Sequence, residues 1–361
     1  MKTIVLIGSG HAHLEVIKAL SKDEISKHRY ILVSPSRQTI YSGLIPRMIT
    51  GEIEEKYLTI NSAQFAESKG FKFFQDEIQD VDQLNQLVIL KSGVRFHYDL
   101  LSINIGGTPI KIPSESPFNT IYLRPFDEFM PMWREVQRIC SACVNPRFVV
   151  IGGGSAAVEV ASALRVRLNK NQARHSEVHL VTRGERLCEN YSQKISDQIK
   201  KSLFKNGIKI HLNQNIDQIG YKKLKLNDGG EIVFDLIFIV TPTLPKTIIP
   251  GPVDSKLRIT SNIFIVGDGA QMFEYPNLPR SGVIAVHQGR HLIRNIRDTL
   301  VGHVLLDFKV KPRQLNILIT GESTARLVWG NFSLEGKWPL RLKNWIDKRY
   351  ISAFKNILRN T

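Results

Sequence analysis

The chain has 361 residues, 42% of them apolar, a formal net charge of +16 and three cysteines. That length gives room for two domains with cores of their own and excludes a disordered chain or a disulfide scaffold; no run approaches the roughly 20 apolar residues of a membrane span. The charge excess points to acidic ligands, an anionic membrane or nucleic acid, but no nucleic-acid-binding motif accompanies it, so no nucleic-acid partner is expected. Half of the excess lies from Lys309 onward, with eleven Lys/Arg against three Asp/Glu. Met1 leads straight into an apolar strand with no space for a cleaved leader, and the cysteines fit a reducing compartment, so a cytoplasmic location is expected.

The first element is a short apolar strand, Ile4 to Ile7, that runs into Gly8-Ser9-Gly10 and then into a helical pattern carrying Val16, Ile17 and Leu20. Strand, glycine turn and helix is how a dinucleotide pyrophosphate is held: Gly8 lets the chain turn, Gly10 lets backbone N–H groups approach phosphate, and the helix N-terminus faces its charge. His11 and Ala12 follow, and His13 stands where the third glycine of G-x-G-x-x-G belongs. Alone, the pattern also fits an ordinary strand-to-helix turn.

A second strand, Tyr30 to Val33, ends at Ser34-Pro35. At this distance past the glycines an acidic residue normally binds the adenosine ribose. Ser34 holds the place, with Arg37 nearby, and a hydroxyl makes a weaker version of the contact. Tyr41 to Arg47 is a loop with Gly43 and Pro46. Phe71 to Phe74, Leu87 to Leu90 and Asp99 to Ile105 read as strands, the last running into Gly106-Gly107, where backbone can lie against a cofactor.

The spacing predicts a helix over Asp127 to Ile139, with Cys140-Ser141-Ala142-Cys143 at its end. C-x-x-C is a redox pair or half a zinc site; no second pair exists, so no metal is expected, and a helix-end coincidence outweighs dithiol chemistry. Then the first unit recurs. Phe148 to Leu164 is again strand, glycine turn and helix, with Gly152, Gly154 and Ala157 fitting G-x-G-x-x-G/A, Ser155 opening the helix and Glu159 echoing Glu15. Two such turns in one chain imply two dinucleotides, a flavin and a nicotinamide. The following strand, Val178 to Val181, ends in Thr182-Arg183-Gly184-Glu185-Arg186. Arginines at this place favour the 2′-phosphate of NADP over NAD, so Arg183 and Arg186 lean towards NADPH.

Lys194 to Phe204 reads as a helix, Lys209 to Leu212 as a strand, Lys222 to Leu226 and Glu231 to Phe234 as a hairpin, and Leu236 to Thr241 as a buried strand. The strand at Ile263 ends in Gly267-Asp268, which sets a carboxylate at the sheet's ligand-binding edge. A helix over Pro279 to Leu292 starts near Ser281, and its N-terminus suits a flavin's pyrimidine edge; His287 and His291 on it are packing or surface residues. Leu315 to Ile319 and Ala325 to Trp329 are strands of a small cap. Arg341 to Leu358 forms an amphipathic helix with Leu342, Trp345, Ile346, Tyr350, Phe354, Ile357 and Leu358 on one stripe and Lys343, Lys348, Arg349 and Lys355 off it. Such a helix lies on an anionic membrane, or docks on its own domain or on the mate of a homodimer.

In the order of these motifs the chain resembles the pyridine nucleotide–disulfide oxidoreductase superfamily. It is similar to type II NADH:quinone oxidoreductases and, more closely, to the flavoprotein domain fused to selenide, water dikinases, through Gly10-His11-Ala12-His13, Tyr41-Ser42-Gly43 and the segment from Leu334 through Lys343 to Arg349. The resemblance implies an α/β fold of two Rossmann-like three-layer domains. An FAD domain (1–122 and 246–308) would carry an inserted NAD(P)H domain (123–245), followed by a small C-terminal α+β cap (309–361). It implies FAD at Gly8, Gly10, His11, Ala12, His13, Ser34, Arg37, Pro46, Gly106, Gly107, Gly267, Asp268 and Gly282. It implies NADH or NADPH at Gly152, Gly154, Ser155, Glu159, Arg183 and Arg186. The implied activity is hydride transfer from NAD(P)H to FAD and onward to a small-molecule acceptor such as a quinone, at the inner face of a membrane if the terminal helix binds there. Ser42-Gly43 stands where disulfide reductases carry a catalytic cysteine pair. A non-turnover FAD sensor and a reductase using Cys140 and Cys143 are the competing readings.

Overall fold

The computed structural model describes residues 1–171 and 175–355. Two parallel sheets organise it. In the first, the strand order is Arg258–Thr260, Ile263–Ile265, Leu100–Ile103, Thr3–Ile7, Arg29–Ser34, Lys72–Gln75, parallel throughout except for the edge strand Arg258–Thr260. Ile4, Val5, Leu6 and Ile7 are all buried, as a strand covered on both faces requires. The helices His11–Ala19 and Gly282–Val301 pack against each other, and Gly289 makes this close approach possible: a Cβ there would overlap the Ala12 carbonyl. A three-stranded meander (Ile78–Asp82, Leu87–Leu90, Arg95–His97) joins the same core, with Phe96 and Phe74 rings 4.6 Å apart.

The second sheet runs Thr120–Tyr122, Leu236–Ile239, Arg147–Ile151, Glu177–Val181, Ile208–His211, all parallel. The helix Ser155–Lys170 packs on it, and a meander built from Ile216–Ile219, Lys223–Leu226 and Glu231–Val233 closes a second apolar cluster with Val149, Ile151, Val181, Ile237 and Ile239. Each unit is therefore three layers. Thr120–Tyr122 lies on the first side of a boundary drawn at 122, yet it pairs with Leu236–Ile239, so the chain enters the second unit before it. The two crossings between the units lie side by side as an antiparallel ribbon, Gly107–Pro109 against Thr243–Pro245.

The cap is a three-stranded sheet, Leu315–Ile319, Ala325–Trp329 and Phe332–Gly336, followed by a helix, Lys337–Lys355. Arg326 reaches Gln198 on a helix of the second unit (2.9 Å), while Phe354 packs edge-on against Phe65 of the first (5.1 Å). The terminal helix faces inward with Pro339, Lys343, Asp347, Ile351 and Phe354, a face that shares Phe354 with the stripe read from the apolar residues and otherwise runs beside it. Trp345 of that stripe is 57% exposed, and Ile357 and Leu358 lie outside the described residues. The inward face escapes an apolar reading because two of its members are a buried ion pair, Lys343 and Asp347. The helix starting at Ser281 runs on to Val301, and the helix Phe126–Ala142 contains Cys140 rather than ending before it. No helix among the described residues is long and apolar enough to cross a membrane.

Candidate functional site

Asn104, just past the strand Leu100–Ile103, is the hub of the first crevice. Gly8 turns at φ +89°, and the Asn104 carbonyl oxygen fills the place of its missing Cβ. A Cβ on Gly10 would come 2.7 Å from Asn104 Nδ2, and one on Gly267 would overlap Asn104 Oδ1. Three glycines are thus required around one residue, Gly8 against its backbone and Gly10 and Gly267 against its side chain. Asn104 Nδ2 is buried there with no hydrogen-bond partner among the described residues, an arrangement that costs about 1–3 kcal/mol unless an acceptor arrives. The helix His11–Ala19 begins at Gly10 with no side-chain cap, so its first N–H groups await an acceptor too. Orphan donors, a positive helix pole and a glycine cradle fit a dinucleotide pyrophosphate.

His13 braces this turn from behind. Its Nδ1 lies 2.6 Å from the Gly8 carbonyl oxygen and its Nε2 2.8 Å from Ser102 Oγ. It is fully buried, and burial holds its pKa down at about 4, so it is neutral. Ala12 is covered by Gly289. The Ala12 and His13 side chains therefore face the protein rather than a cofactor. Ser34 is joined to Ser9 (3.0 Å), and Ser9 to Thr39 (2.7 Å), which ties the second strand's end to the turn. Arg37 pairs with Glu67 at 3.0 Å.

Asp268 stands at the strand edge as the motif requires, and it is ion-paired with Arg124, a residue the sequence reading passed over. Arg124 follows Thr120–Tyr122 by two positions; a cation at the mouth of the crossover was the available signal. The Gly267 N–H donates to Gln288 Oε1 (2.7 Å); the Gly106 carbonyl accepts the Lys246 N–H (3.3 Å) and lies 3.2 Å from where a Cβ on Gly269 would be, whereas Gly107 faces Thr243 and Leu244. Ser281 caps its helix by accepting the Ile284 N–H at 3.3 Å. Gly282 there faces Ser42 and His11, both within 4 Å of where its Cβ would be. His11 in turn lies 5.7 Å from the Tyr41 ring and 6.2 Å from Tyr350, which stack at 4.6 Å. Burial pulls His11 down to about 4 against the raising influence of Asp268. Pro46 is buried in the short helix Ile45–Ile49 behind this cluster. The structure thus gathers most of the first predicted set around one crevice.

The second turn is built alike. Gly152 has φ +146°, and its Cβ would overlap the Val240 carbonyl, whereas Gly154 has no described atom within 4 Å of its Cβ position. Gly154 is the N-cap of Ser155–Lys170, again with no side-chain cap. Ser155 Oγ meets Tyr191 Oη at 3.2 Å, above Cys188, whose thiol burial pushes up to about 12. The two arginines part ways. Arg183 is exposed at the strand end, whereas Arg186 donates to the carbonyls of Tyr191 (3.0 Å) and Glu189 (2.9 Å) and so fastens its own loop. Glu159 does not face the turn. It accepts the Ile319 N–H (3.0 Å) and lies 3.9 Å from Lys343, under the cap, where burial raises its pKa against Lys343.

Cys140 is buried with a raised thiol pKa, Cys143 is exposed, and both are free. Cys140 sits beside Arg167 and Asn171, at the far end of the helix that Gly154 opens. At 1.5 Å per residue that is about 20 Å from the second turn. No cluster of three or more His, Cys, Asp or Glu able to hold a metal exists among the described residues.

Two glycine-cornered turns on two parallel sheets define a framework with two dinucleotide-type crevices. The pyridine nucleotide–disulphide oxidoreductase family model matches residues 2–289, and the chain belongs to that family. Among curated proteins it is 18% identical to the external alternative NAD(P)H-ubiquinone oxidoreductase B1, mitochondrial, of Solanum tuberosum, over 87% of this chain but only 64% of that enzyme's length. It is 20% identical to the NADH dehydrogenase-like protein YutJ of Bacillus subtilis, covering 97% and 99% of the two chains. Among solved structures the sulfide:quinone oxidoreductase of Aquifex aeolicus superposes with a TM-score of 0.82 at 17% identity, over 99% of this chain and 92% of that one. These likenesses show the fold.

Proposed function

We propose that the protein passes a hydride from NAD(P)H to FAD and the electrons onward to a quinone-type acceptor at a membrane surface. One observation supports it above the others: the helix that Gly154 opens and the aromatic cluster of the first crevice are only three hydrogen-bonding or ion-pairing steps apart. Glu159 faces Lys343 (3.9 Å), Lys343 faces Asp347 (3.4 Å), and Asp347 meets Tyr41 (2.9 Å). Nucleotides seated at Gly10 and Gly154 would share that junction, as hydride transfer demands.

When bound, FAD supplies the two-electron chemistry that no side chain here can. Gly8, Gly10 and Asn104 would hold its pyrophosphate, Asp268 its polyol hydroxyls with Arg124 beside it, and the Gly282 helix N-terminus would stabilise negative charge on the reduced ring. Gly152, Gly154 and Ser155 would hold the pyrophosphate of NAD(P)H, and of the two arginines Arg183 is the exposed one that would read a 2′-phosphate. The quinone part of the proposal draws on the relatives, among them the demethylphylloquinone reductase NdbB of Synechocystis, 22% identical over 86% of this chain and 82% of that one.

The cap supports the membrane part. Trp338 and Trp345 are 58% and 57% exposed, two turns apart on the terminal helix, with exposed Arg341, Lys348 and Arg349 between and beside them. Arg349 lies 5.2 Å over the Trp345 ring, and Trp329 and Phe332 of the cap hairpin are also exposed. Exposed tryptophans among cations suit the headgroup region of an anionic bilayer. An acceptor screen with both nicotinamides, with and without anionic vesicles, tests the whole. Quinone reduction stimulated by vesicles supports the proposal; a flavin that bleaches but finds no quinone acceptor rejects it.

A further inference from the structure

Two helices begin side by side at the first crevice. His11 is the first residue of His11–Ala19, and Gly282 the first of Gly282–Val301. A Cβ on Gly282 would lie 3.9 Å from His11 Cδ2 and 4.0 Å from its Nε2. The imidazole therefore stands where two helix N-termini converge, a position that favours an anion and opposes a cation. It is half-buried, and neither ring nitrogen has a hydrogen-bond partner among the described residues. Its neighbours are rings, Tyr41 at 5.7 Å and Tyr350 at 6.2 Å, both held neutral by burial. The charged groups around it are already matched. Asp268 is paired with Arg124, and Glu15 with Lys18 and with Arg290 at 2.9 Å. Asp347, one hydrogen bond behind Tyr41, lies 3.4 Å from Lys343. Burial outweighs all of them and leaves the imidazole neutral. His11 thus has two unpaired nitrogens and no counter-ion of its own, beside the helix pole assigned above to the reduced flavin ring.

We propose that His11 takes up one proton from solvent when the flavin is reduced and releases it when the flavin is reoxidised. The inference rests on the flavin half of the reading above and is independent of the acceptor. NAD(P)H delivers two electrons and one proton as hydride, which leaves the ring one negative charge. An N–H bond then forms at His11 with a solvent proton, and the imidazolium offsets that charge. Reoxidation removes two electrons and the ring's own proton. The new N–H bond at His11 breaks, and its proton returns to solvent. A unit negative charge about 5 Å from an imidazole, at an effective dielectric of about 20, raises it by about two to three pH units. That carries His11 from about 4 in the resting protein to about 6.5 beside a reduced ring. His13, two residues on, cannot act this way, because its nitrogens are spent on the Gly8 carbonyl and Ser102 Oγ.

The test is a potentiometric titration of the flavin in purified holoprotein at about pH 5 to 6, with dithionite and mediator dyes in place of a nicotinamide. A tenfold change in a two-electron equilibrium is about 30 mV, so each proton taken up adds about 30 mV per pH unit to the slope. The wild-type potential should fall by about 60 mV per pH unit, for one proton on the ring and one on His11, and that of His11→Gln by about 30 mV. His11→Phe keeps an aromatic ring against Tyr41 and Tyr350 and serves if the glutamine variant loses its flavin. A second readout locates the extra proton: the near-ultraviolet absorbance of the reduced wild-type flavin should be that of the anionic ring. A third needs no variant: on reduction at about pH 6, the imidazole nitrogen resonances of His11 should move from neutral to charged values. A slope unchanged by removing the imidazole, a neutral reduced ring, or His11 resonances that stay put overturns the proposal alone. Protein that binds no FAD overturns the flavin reading, and this one with it.

Discussion

Two glycines of the second turn make a test in which one motif predicts opposite outcomes. Gly154→Ala adds a methyl where no described atom lies within 4 Å, at an extended φ of −85° that any residue adopts. The fold should lose no more than about 1 kcal/mol, the cost of alanine at an N-cap. The methyl nevertheless enters the space in front of the helix N-terminus, where phosphate would approach. Losing one charge-assisted hydrogen bond costs about 1.5–3 kcal/mol, which is roughly 10- to 150-fold in affinity. Gly152→Ala should do the reverse. Its φ of +146° and the Val240 carbonyl in the path of the new Cβ destabilise the second unit by about 3 kcal/mol or more. The assay is anaerobic stopped-flow bleaching of the flavin against NAD(P)H concentration, with denaturant midpoints measured alongside. A Gly154→Ala protein that is fully flavinated and binds NAD(P)H within twofold of wild type would refute the assignment of this turn to a nucleotide.

Further outcomes follow from the same geometry. His11 and His13 are both held down at about 4 from an ordinary 6.5 by burial, so the unfolded chain takes up protons first as pH falls. The stability they give is complete above about 6.5 and is lost towards 4, about 3 kcal/mol for each at most; a His11→Gln/His13→Gln double variant with an unchanged acid slope in urea titrations would contradict this. Arg183→Ala should lower the preference for NADPH over NADH, whereas Arg186→Ala should loosen its loop without changing that ratio, as initial rates with the two nucleotides will report. Replacing Trp338 and Trp345 by Ser should release the protein from anionic vesicles in sedimentation assays without altering its melting, since both are more than half exposed. Cys140→Ser/Cys143→Ser should leave NAD(P)H turnover at the wild-type rate, because the pair sits at the far end of its helix; loss of turnover would revive the dithiol reading.

How much of this was legible in the sequence depended on distance along the chain. Gly8, Gly10 and Gly152 are demanded by local backbone or close approach and Gly154 leaves open the space before its helix, so each glycine turn announces itself within ten residues. Asn104 was silent because its role lies in three faces that lack a Cβ, two of them nearly a hundred residues upstream and one far downstream. The Tyr41–Asp347 contact spans 306 positions and follows no period. The terminal helix was read one step out of phase for a related reason: a buried lysine and aspartate look polar in sequence, and only their pairing hides them. Ile78–Asp82, with its acidic residues on the open face, and the three-residue Thr120–Tyr122 gave too weak an alternation to register as strands. Arg186 reads like Arg183 on paper, and only the loop's own carbonyls distinguish them.

The measurement that bears most directly on the account is an anaerobic titration of the purified, yellow protein with NADH and NADPH, followed at the flavin's visible absorbance. Two adjoining nucleotide crevices predict complete bleaching by one equivalent of at least one of them, with colour restored on adding a quinone. A preparation that refuses FAD, or one whose bound flavin neither nicotinamide bleaches, would contradict it.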